Sequence, residues 1–179
     1  MTMRADLLKM RPLLQQDAPF LVKWLSDKRV LHYYEGRDRP HDLQLVHEHF
    51  YPKDDDTSRC LFLYDGHPIG YGQYYPLDQE SRQAYGYDAS TIIYGIDQFI
   101  GEPWYWDRGL GTFLVQSLLV HLSTHFGAQR VVLDPQASTA RAIRCYEKCG
   151  FQKVKWLPRR EWHEGSMRDC WLMEWNSLS

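Results

Sequence analysis

The sequence predicts an α/β protein in which helices pack against a mixed β-sheet. Between residues 91 and 157, apolar runs typical of buried strands alternate with two helical patterns. A second indication is the Asp65-Gly66 turn between two β-rich runs, which predicts a hairpin. The 179 residues are 44% apolar and 25% charged. We therefore expect one globular domain over residues 1–179.

The N-terminal segments predict one short strand and two helices. The strand is expected at residues 6–12. Asp17 is expected to cap a helix that continues to about Ser26, with its apolar residues on one face. Residues 29–40 are aromatic and then turn-like, and residues 42–51 fit a second helix.

The remaining elements follow from apolar runs and turn signals. The hairpin covers residues 59–75, residues 77–90 are polar and rich in turn formers, and Gly150 stands where a helix C-terminal cap is expected. The strands expected after the hairpin are 91–99, 130–135, 151–157 and 169–175, and the helices are Leu110–Phe126 and Ser138–Cys149.

The composition of the chain excludes several classes of function. The net charge of −2 provides no electrostatic footprint for nucleic acid, so no such partner is expected. The start of the chain lacks the apolar core of a signal peptide, and no apolar run is long enough to span a bilayer. The four cysteines form no CxxC pair, which predicts free thiols and a cytoplasmic location.

A glycine-rich turn, "RGLGT" at Arg108–Thr112, opens the longest predicted helix. Unpaired N–H groups and the helix dipole favour an anion at such a helix start, and glycines let the backbone approach it closely. The turn therefore predicts a phosphate cradle, although many helices begin after glycine with no ligand. The glycines are not followed by Lys-Ser or Lys-Thr, and no GxGxxG pattern is present, so Walker-type and Rossmann sites are excluded.

Two aspartates lie at or near the ends of predicted strands. Asp97 interrupts an otherwise apolar run, and it is either a functional carboxylate or a strand-end residue that pairs with a nearby arginine. Asp134 ends the strand opposite, at the carboxyl edge where ligands of α/β sheets collect. The alternative for Asp134 is a cap on the helix that follows Pro135.

Two further patterns are weaker indications of a functional site. His121 and His125 are one helical turn apart, which suits a metal, but no third ligand is nearby and a polar helix face is favoured. Cys145 lies beside Tyr146 without an evident base or metal set, so a nucleophilic role is not expected. We expect no metal.

Four motifs, "GIDQF", "RGLGT", "LDP" and "RAIRCYEKCGF", occur in this order from Gly95 to Phe151. They resemble the GCN5-related N-acetyltransferase (GNAT) superfamily and, within it, the aminoglycoside 6'-N-acetyltransferases. The similarity covers nearly the whole chain and is greatest to the acetyltransferase domain of the bifunctional aminoglycoside-modifying enzyme. It implies the GNAT fold, a mixed central sheet of about six to seven strands flanked by about four helices.

The resemblance implies two catalytic residues and a coenzyme site. Asp97 is expected to take a proton from an amine, and Tyr146 to protonate the leaving thiolate. A backbone N–H at residues 98–100 would stabilise the oxyanion. Acetyl-CoA is the implied co-substrate, and the residues expected to bind it are Phe99, Ile100, Arg108, Gly109, Leu110, Gly111, Thr112, Thr139 and Ala142.

The implied acceptor is a polycationic aminoglycoside. Aromatic and acidic residues of the N-terminal loop, Tyr34 among them, would form one wall of its site. The residues expected to bind the acceptor are Tyr33, Glu35, Asp38, Gln73, Asp97 and Asp134.

Three positions depart from the family pattern. Trp106 stands where Gln or Arg is usual, Thr139 where Asn is frequent, and Glu35 where relatives often have a second glycine. The change at Thr139 affects one side-chain contact to the coenzyme but leaves the backbone cradle intact. The change at Glu35 bears on the edge of the acceptor pocket and therefore on which drugs are accepted.

The expected function is acetyl-CoA-dependent acetylation of the 6'-amine of aminoglycosides, which confers resistance. One alternative is a GNAT enzyme acting on another amine, such as a polyamine, a lysine side chain or a siderophore precursor. Another is a regulator that binds acyl-CoA without turnover. The protein is expected to be a monomer or homodimer that binds neither nucleic acid nor membrane.

Overall fold

The computed structural model describes residues 2–178, which contain seven strands and six α-helices. The strands are β1 (Leu8–Pro12), β2 (Ser58–Tyr64), β3 (His67–Pro76), β4 (Ile93–Ile100), β5 (Arg130–Leu133), β6 (Gln152–His163) and β7 (Ser166–Asn176). The helices are α1 (Ala18–Trp24), α2 (Lys28–Tyr33), α3 (Leu43–Phe50), α4 (Gln79–Tyr85), α5 (Leu110–Phe126) and α6 (Ala140–Lys148).

The strands of the described residues form one mixed sheet in the order β1-β2-β3-β4-β5-β7-β6. β4 and β5 are parallel, with Gly95 in register with Val132. The pairs β1–β2, β5–β7 and β6–β7 are antiparallel. A parallel pair needs a long crossover connection, which here contains α5. The predicted mixed α/β architecture is therefore present, with two more helices than expected.

The described residues divide into two compact units. The first comprises the chain up to Gln73 together with Gln98–Leu114, and the second comprises Tyr74–Asp97 and the chain from Val115 onward. β3 and β4 each contribute residues to both units. The prediction of a single domain over residues 1–179 stays a prediction.

Trp24 lies in the core of the first unit. Its side chain is fully buried and packs edge-to-face against Phe99, with ring centroids 6.1 Å apart. The indole Nε1 donates a hydrogen bond to Glu102 at 2.9 Å, so the one polar atom of this side chain is satisfied. Gly101 lies against the same ring, whose nearest atoms are 2.2 Å from the position of an added Cβ. A larger residue at Gly101 would displace the tryptophan.

One local prediction for the first unit, the helix cap by Asp17, was wrong. The buried Asp17 carboxylate does not cap α1; it pairs with Arg11 at 2.7 Å and accepts a hydrogen bond from the Leu14 N–H at 2.8 Å. The Arg11 guanidinium holds the pKa of Asp17 below its usual value. The aromatic part of residues 29–40, for which no element was predicted, lies in helix α2, and the Asp27 side chain caps this helix by accepting from the backbone N–H of Arg29.

The second unit contains a helix, α4, in the segment predicted to be polar and turn-rich. Its start is capped by Asp78, whose side chain accepts from the Ser81 N–H at 2.7 Å. It ends at Gly86, which has a φ of 76°. Both end signals are present in the sequence, but α4 buries none of its own residues. It therefore lacks the apolar stripe by which helices are predicted.

Strands β6 and β7 are longer than the predicted 151–157 and 169–175. They form a hairpin around a two-residue turn, in which Glu164 and Gly165 have φ values of 49° and 90°. Positive φ at both turn residues matches the twist of an antiparallel hairpin. The register of β6 is interrupted between Leu157 and Glu161, directly beyond the predicted end of the strand.

Among residues 2–178, no helix is both long and apolar enough to cross a bilayer. All four cysteines are free thiols, and burial raises the pKa of Cys60 to about 12. The cytoplasmic location stays a prediction.

Candidate active site

In the second unit, the ring of Tyr75 covers Gly95 of strand β4. The Tyr75 atoms Cε2, Cζ and Oη lie 2.3, 2.5 and 2.7 Å from the position that a Cβ on Gly95 would take. Only glycine leaves room for this ring. Side chains two residues apart along a strand point to the same side, so the tyrosine hydroxyl lies on the face that carries Asp97.

The Tyr75 hydroxyl is influenced by both predicted acids. Burial raises the pKa of Tyr75 well above its usual value, and the negative charges of Asp97 and Asp134 raise it further. The phenol therefore stays neutral and remains a hydrogen-bond donor at physiological pH. The charges of two predicted site residues, Asp97 and Asp134, thus act on the hydroxyl of one half-buried tyrosine that was not predicted from the sequence.

Asp134 follows strand β5 directly. Since Gly95 and Val132 are in register, Asp97 and Asp134 each lie two residues beyond a paired position on adjacent parallel strands. Asp134 does not cap α6, which begins at Ala140. Its Oδ2 instead accepts a hydrogen bond from Arg160 Nε at 3.1 Å.

Tyr146 lies on α6 and is half-buried. Its ring packs edge-to-face on that of the buried Phe151, with centroids 6.0 Å apart. The Phe151 N–H donates to the Tyr146 carbonyl at 3.0 Å, and Gly150 takes a φ of 97° between them. This Gly-Phe ending anchors one side of the tyrosine ring to the core.

Two predicted coenzyme-binding residues lie near the start of the same helix. Thr139 stands at the N-cap position, but its hydroxyl donates to the Gln136 carbonyl at 2.6 Å and makes no cap bond. Ala142 is half-buried and lies four residues before Tyr146, so the two share a helix face. The small alanine leaves space beside the tyrosine.

In the first unit, the glycine turn precedes α5 as predicted. Gly109 has a φ of 83°, and an added Cβ there would meet no atom within 4 Å. Its backbone is therefore open to a ligand while its conformation favours glycine. Arg108 stacks on Trp104, with the guanidinium carbon 4.3 Å from the ring centroid. Leu110, by contrast, is fully buried and offers only its backbone.

Trp106 has a structural role within this loop. Its Nε1 donates to the Ile100 carbonyl at 2.9 Å, which ties the loop back to the end of β4. Its ring packs edge-to-face on Tyr33, with centroids 5.7 Å apart. Phe99 is buried among aromatic rings, with Tyr34 at 4.5 Å, so its side chain is part of the core. Only the backbone of Phe99 remains for the predicted coenzyme contact.

The predicted acceptor loop also lies in the first unit. Tyr33 is 53% exposed, and Asp38 is exposed as well. Glu35 has a φ of 75°, the left-handed region that favours glycine, and Gly36 follows it with a φ of 111°. This conformation explains why the position can hold a glycine in relatives.

Two further residues were predicted to face the acceptor. The half-buried Gln73 accepts a hydrogen bond through Oε1 from the Tyr71 hydroxyl at 2.7 Å, so its amide is oriented within the first unit. Tyr34 packs against the core around Phe99. Its ring is therefore largely withdrawn from the exposed wall that the sequence predicted.

The histidine pair of α5 does not lie on a simple polar face. His121 is half-buried, and its Nε2 lies 3.0 Å from the Tyr74 hydroxyl, with the Phe126 ring 5.6 Å away. The ring of His125 is 5.0 Å from that of His121. Burial lowers the pKa of His121, and His125 lowers it further. These contacts are those of an aromatic cluster in the second unit.

The sequence from residue 13 to residue 158 matches the acetyltransferase (GNAT) domain family. The chain belongs to the GNAT acetyltransferase family. The prediction of family and enzyme class is thereby confirmed.

Named relatives of this GNAT chain include aminoglycoside N(6')-acetyltransferase type 1 of Klebsiella pneumoniae. The two are 28% identical over 151 residues, which is 83% of this chain and 75% of that protein. The solved structure of AAC(6')-Ib in complex with ribostamycin and coenzyme A has a TM-score of 0.77 and 25% identity, over 96% of this chain and 94% of that one. Spermidine N-acetyltransferase from Vibrio cholerae, in complex with coenzyme A and spermine, has a TM-score of 0.79. It covers 97% of both chains at 17% identity, a likeness that shows the fold alone.

The comparisons confirm the GNAT fold and support acetyl-CoA as the co-substrate, whereas the roles of individual residues stay predictions. Two residues near the predicted acids, Tyr75 and Arg160, were missed. For Tyr75 a signal was available, because an isolated glycine such as Gly95 inside a strand often marks close approach of another group. For Arg160 there was none, since its position depends on an irregular stretch of β6.

Proposed function

We propose that this GNAT acetyltransferase transfers the acetyl group of acetyl-CoA to the 6'-amine of aminoglycosides and so confers resistance. The observation that carries the proposal is its likeness to an aminoglycoside N(6')-acetyltransferase over 83% of the chain. The second unit supports it with two acids, Asp97 and Asp134, whose charges act on one half-buried tyrosine, Tyr75. Paired carboxylates suit a substrate that carries several ammonium groups.

The proposed reaction is direct transfer, with no covalent enzyme intermediate. Asp97 accepts one proton of the acceptor ammonium, which leaves a lone pair on nitrogen to attack the thioester carbonyl carbon. A backbone N–H of residues 98–100 donates to the oxyanion. As the C–S bond breaks, Tyr146 protonates the thiolate. The second amine proton restores Tyr146, and the proton on Asp97 passes to solvent.

The glycine turn is proposed to bind the pyrophosphate of the coenzyme. Gly109 has an open backbone in the left-handed region, and the 17-residue helix α5 begins at the next residue. The unpaired N–H groups of a helix start attract a bulky anion. Arg108 adds a positive charge that is oriented by its contact with Trp104. Thr139 and Ala142 are proposed to line the same coenzyme.

The proposed acceptor-binding residues come from the N-terminal loop, from strands β3 and β4, and from the position directly after β5. Among these residues, Tyr33 and Asp38 are the exposed ones. The residues proposed to bind the acceptor are Tyr33, Glu35, Asp38, Gln73, Asp97 and Asp134. We further propose a cytoplasmic monomer or homodimer that uses no metal and binds neither nucleic acid nor membrane.

A thiol-release assay with acetyl-CoA and a panel of amines tests this function. We expect turnover on kanamycin-like drugs that carry a 6'-amine and none on analogues with a 6'-hydroxyl. Equal turnover on spermidine, or on a lysine-containing peptide, would assign the enzyme to another amine. Binding of acetyl-CoA without turnover on any amine would instead indicate a regulator.

A further inference from the structure

Arg160 forms an ion pair with Asp134, the carboxylate that we propose to bind an acceptor ammonium. Its Nε donates to Asp134 Oδ2 at 3.1 Å, and its Nη2 donates to the Tyr85 hydroxyl at 2.8 Å. The guanidinium carbon lies 5.8 Å from the centroid of the Tyr85 ring. One cation of the chain itself is thus held against Asp134 by several contacts.

A bulge in β6 directs Arg160 toward Asp134. Leu157 pairs with Cys170 on the neighbouring strand. Four residues further along β6, Glu161 pairs with Arg168, which lies only two residues before Cys170 in β7. The β6 strand therefore contains two extra residues at this point. Bulges re-aim side chains and are frequent beside active sites.

The backbone conformation of the bulge is held in place by a specific contact. Arg159, the residue before Arg160, has a φ of 48°, in the left-handed region that strains a non-glycine residue. Its N–H donates to the Asp169 carboxylate at 2.9 Å. Such a conformation persists where the surroundings over-determine it. The placement of Arg160 is therefore built into the hairpin.

The contact between Arg160 and Asp134 is open to exchange. The side chains are 43% and 36% exposed, so another cation can reach the carboxylate. Ion pairs with this degree of exposure contribute little to stability, because water and salt screen them. Displacing the guanidinium from Asp134 is accordingly a small cost that an incoming ammonium can offset.

We propose that Arg160 is a specificity-determining residue, an internal counter-cation that an acceptor ammonium must displace from Asp134. The inference rests on the proposed function, and in particular on the acceptor role of Asp134. An acceptor with an ammonium at the right position replaces the guanidinium, whereas one with a neutral hydroxyl there cannot compete. Arg160 thus competes with every acceptor for Asp134, and this competition favours polycationic acceptors.

The test is titration calorimetry of kanamycin binding to the wild type and to Arg160→Gln, in the presence of coenzyme A. We expect the Kd of Arg160→Gln to fall by about two- to five-fold, the range expected for removal of a competing, partly exposed ion pair. Arg159→Gln is the matched control, because it removes the same charge one residue away, and its Kd should stay near that of the wild type. In the Asp134→Asn background, Arg160→Gln should bring no gain.

Three outcomes would overturn the proposal. They are an unchanged or weaker Kd in Arg160→Gln, an equal gain in Arg159→Gln, and a gain that survives in the Asp134→Asn background. Acetylation measured on the same proteins separates this inference from the proposed function. If kanamycin binds with the expected ratios but is not acetylated, the proposed function fails while the role of Arg160 stands. If kanamycin binds neither the wild type nor Arg160→Gln, both fail.

Discussion

Gly95 leaves the space that the Tyr75 ring fills, so Gly95→Ala should destabilise the protein. The added methyl group would lie 2.3 Å from Tyr75 Cε2, where ordinary contact begins at 3.4 Å. The ring must therefore shift by about 1 Å, and overpacking of this kind costs about 1–3 kcal/mol. For a chain of this length, each kcal/mol lowers Tm by about 2–4 °C. The shift also moves the hydroxyl relative to Asp97, so we expect a lower kcat.

Chemical denaturation measures the coupling free energy between positions 75 and 95. It compares four proteins: the wild type, Gly95→Ala, Tyr75→Ala and the double variant. If the methyl group clashes with the ring, Gly95→Ala should cost little in the Tyr75→Ala background, and the coupling free energy should be about 1–3 kcal/mol. Tyr75→Phe keeps the ring and serves as the control, so Gly95→Ala should remain costly in it. An equal cost of Gly95→Ala in the presence and absence of the ring would refute the reasoning.

Three further variants test the proposed chemistry and one ion pair. Asp97→Asn should lower kcat at least about 100-fold, as expected for loss of a general base, with little change in the Kd of acetyl-CoA; a similar loss in both would mean that Asp97 is structural. Tyr146→Phe should lower kcat by about 10²-fold and leave acceptor KM nearly unchanged if the hydroxyl protonates the thiolate; unchanged kcat would limit Tyr146 to packing. Asp17→Asn should cost about 1.5–3 kcal/mol of unfolding free energy at pH 7, as expected for a hydrogen bond between charged groups. Because Arg11 depresses the folded-state pKa of Asp17, that stability is present above about pH 4 and is lost as the pH falls further, so denaturation curves of the two proteins should converge in acid; a constant difference would contradict this account.

The family motifs predicted the candidate site in part. Asp97 and Asp134 were expected on opposite strands, and both act on the Tyr75 hydroxyl in the second unit. The partner of Asp134 was not foreseen, because Arg160 reaches it across 26 residues of sequence and through a strand bulge. The sequence marked Trp106 only as a departure from the family pattern, and the structure shows that its indole donates a hydrogen bond to the Ile100 carbonyl at the end of β4.

The predictions of secondary structure succeeded where a local signal was strong. The helix Leu110–Phe126 has the predicted bounds, since its apolar residues repeat over more than four turns. The hairpin around Asp65 and Gly66 also occurs as expected, with positive φ at both residues. The short helices α2 and α4 were not predicted, because one or two turns contain too few residues to show a helical repeat of apolar positions.

The sequence alone was sufficient to predict the α/β class and, through its motifs, the resemblance to the GNAT family, which in turn implied Asp97 and Tyr146 as the catalytic residues. The class depends on apolar residues at regular spacings, and the resemblance depends on the order of short motifs; both are visible in the sequence itself. Only the tertiary structure revealed that Tyr75 lies over Gly95 and that Arg160 donates a hydrogen bond to Asp134. Such contacts join residues far apart in the chain, and strand register and a two-residue bulge decide which side chains meet.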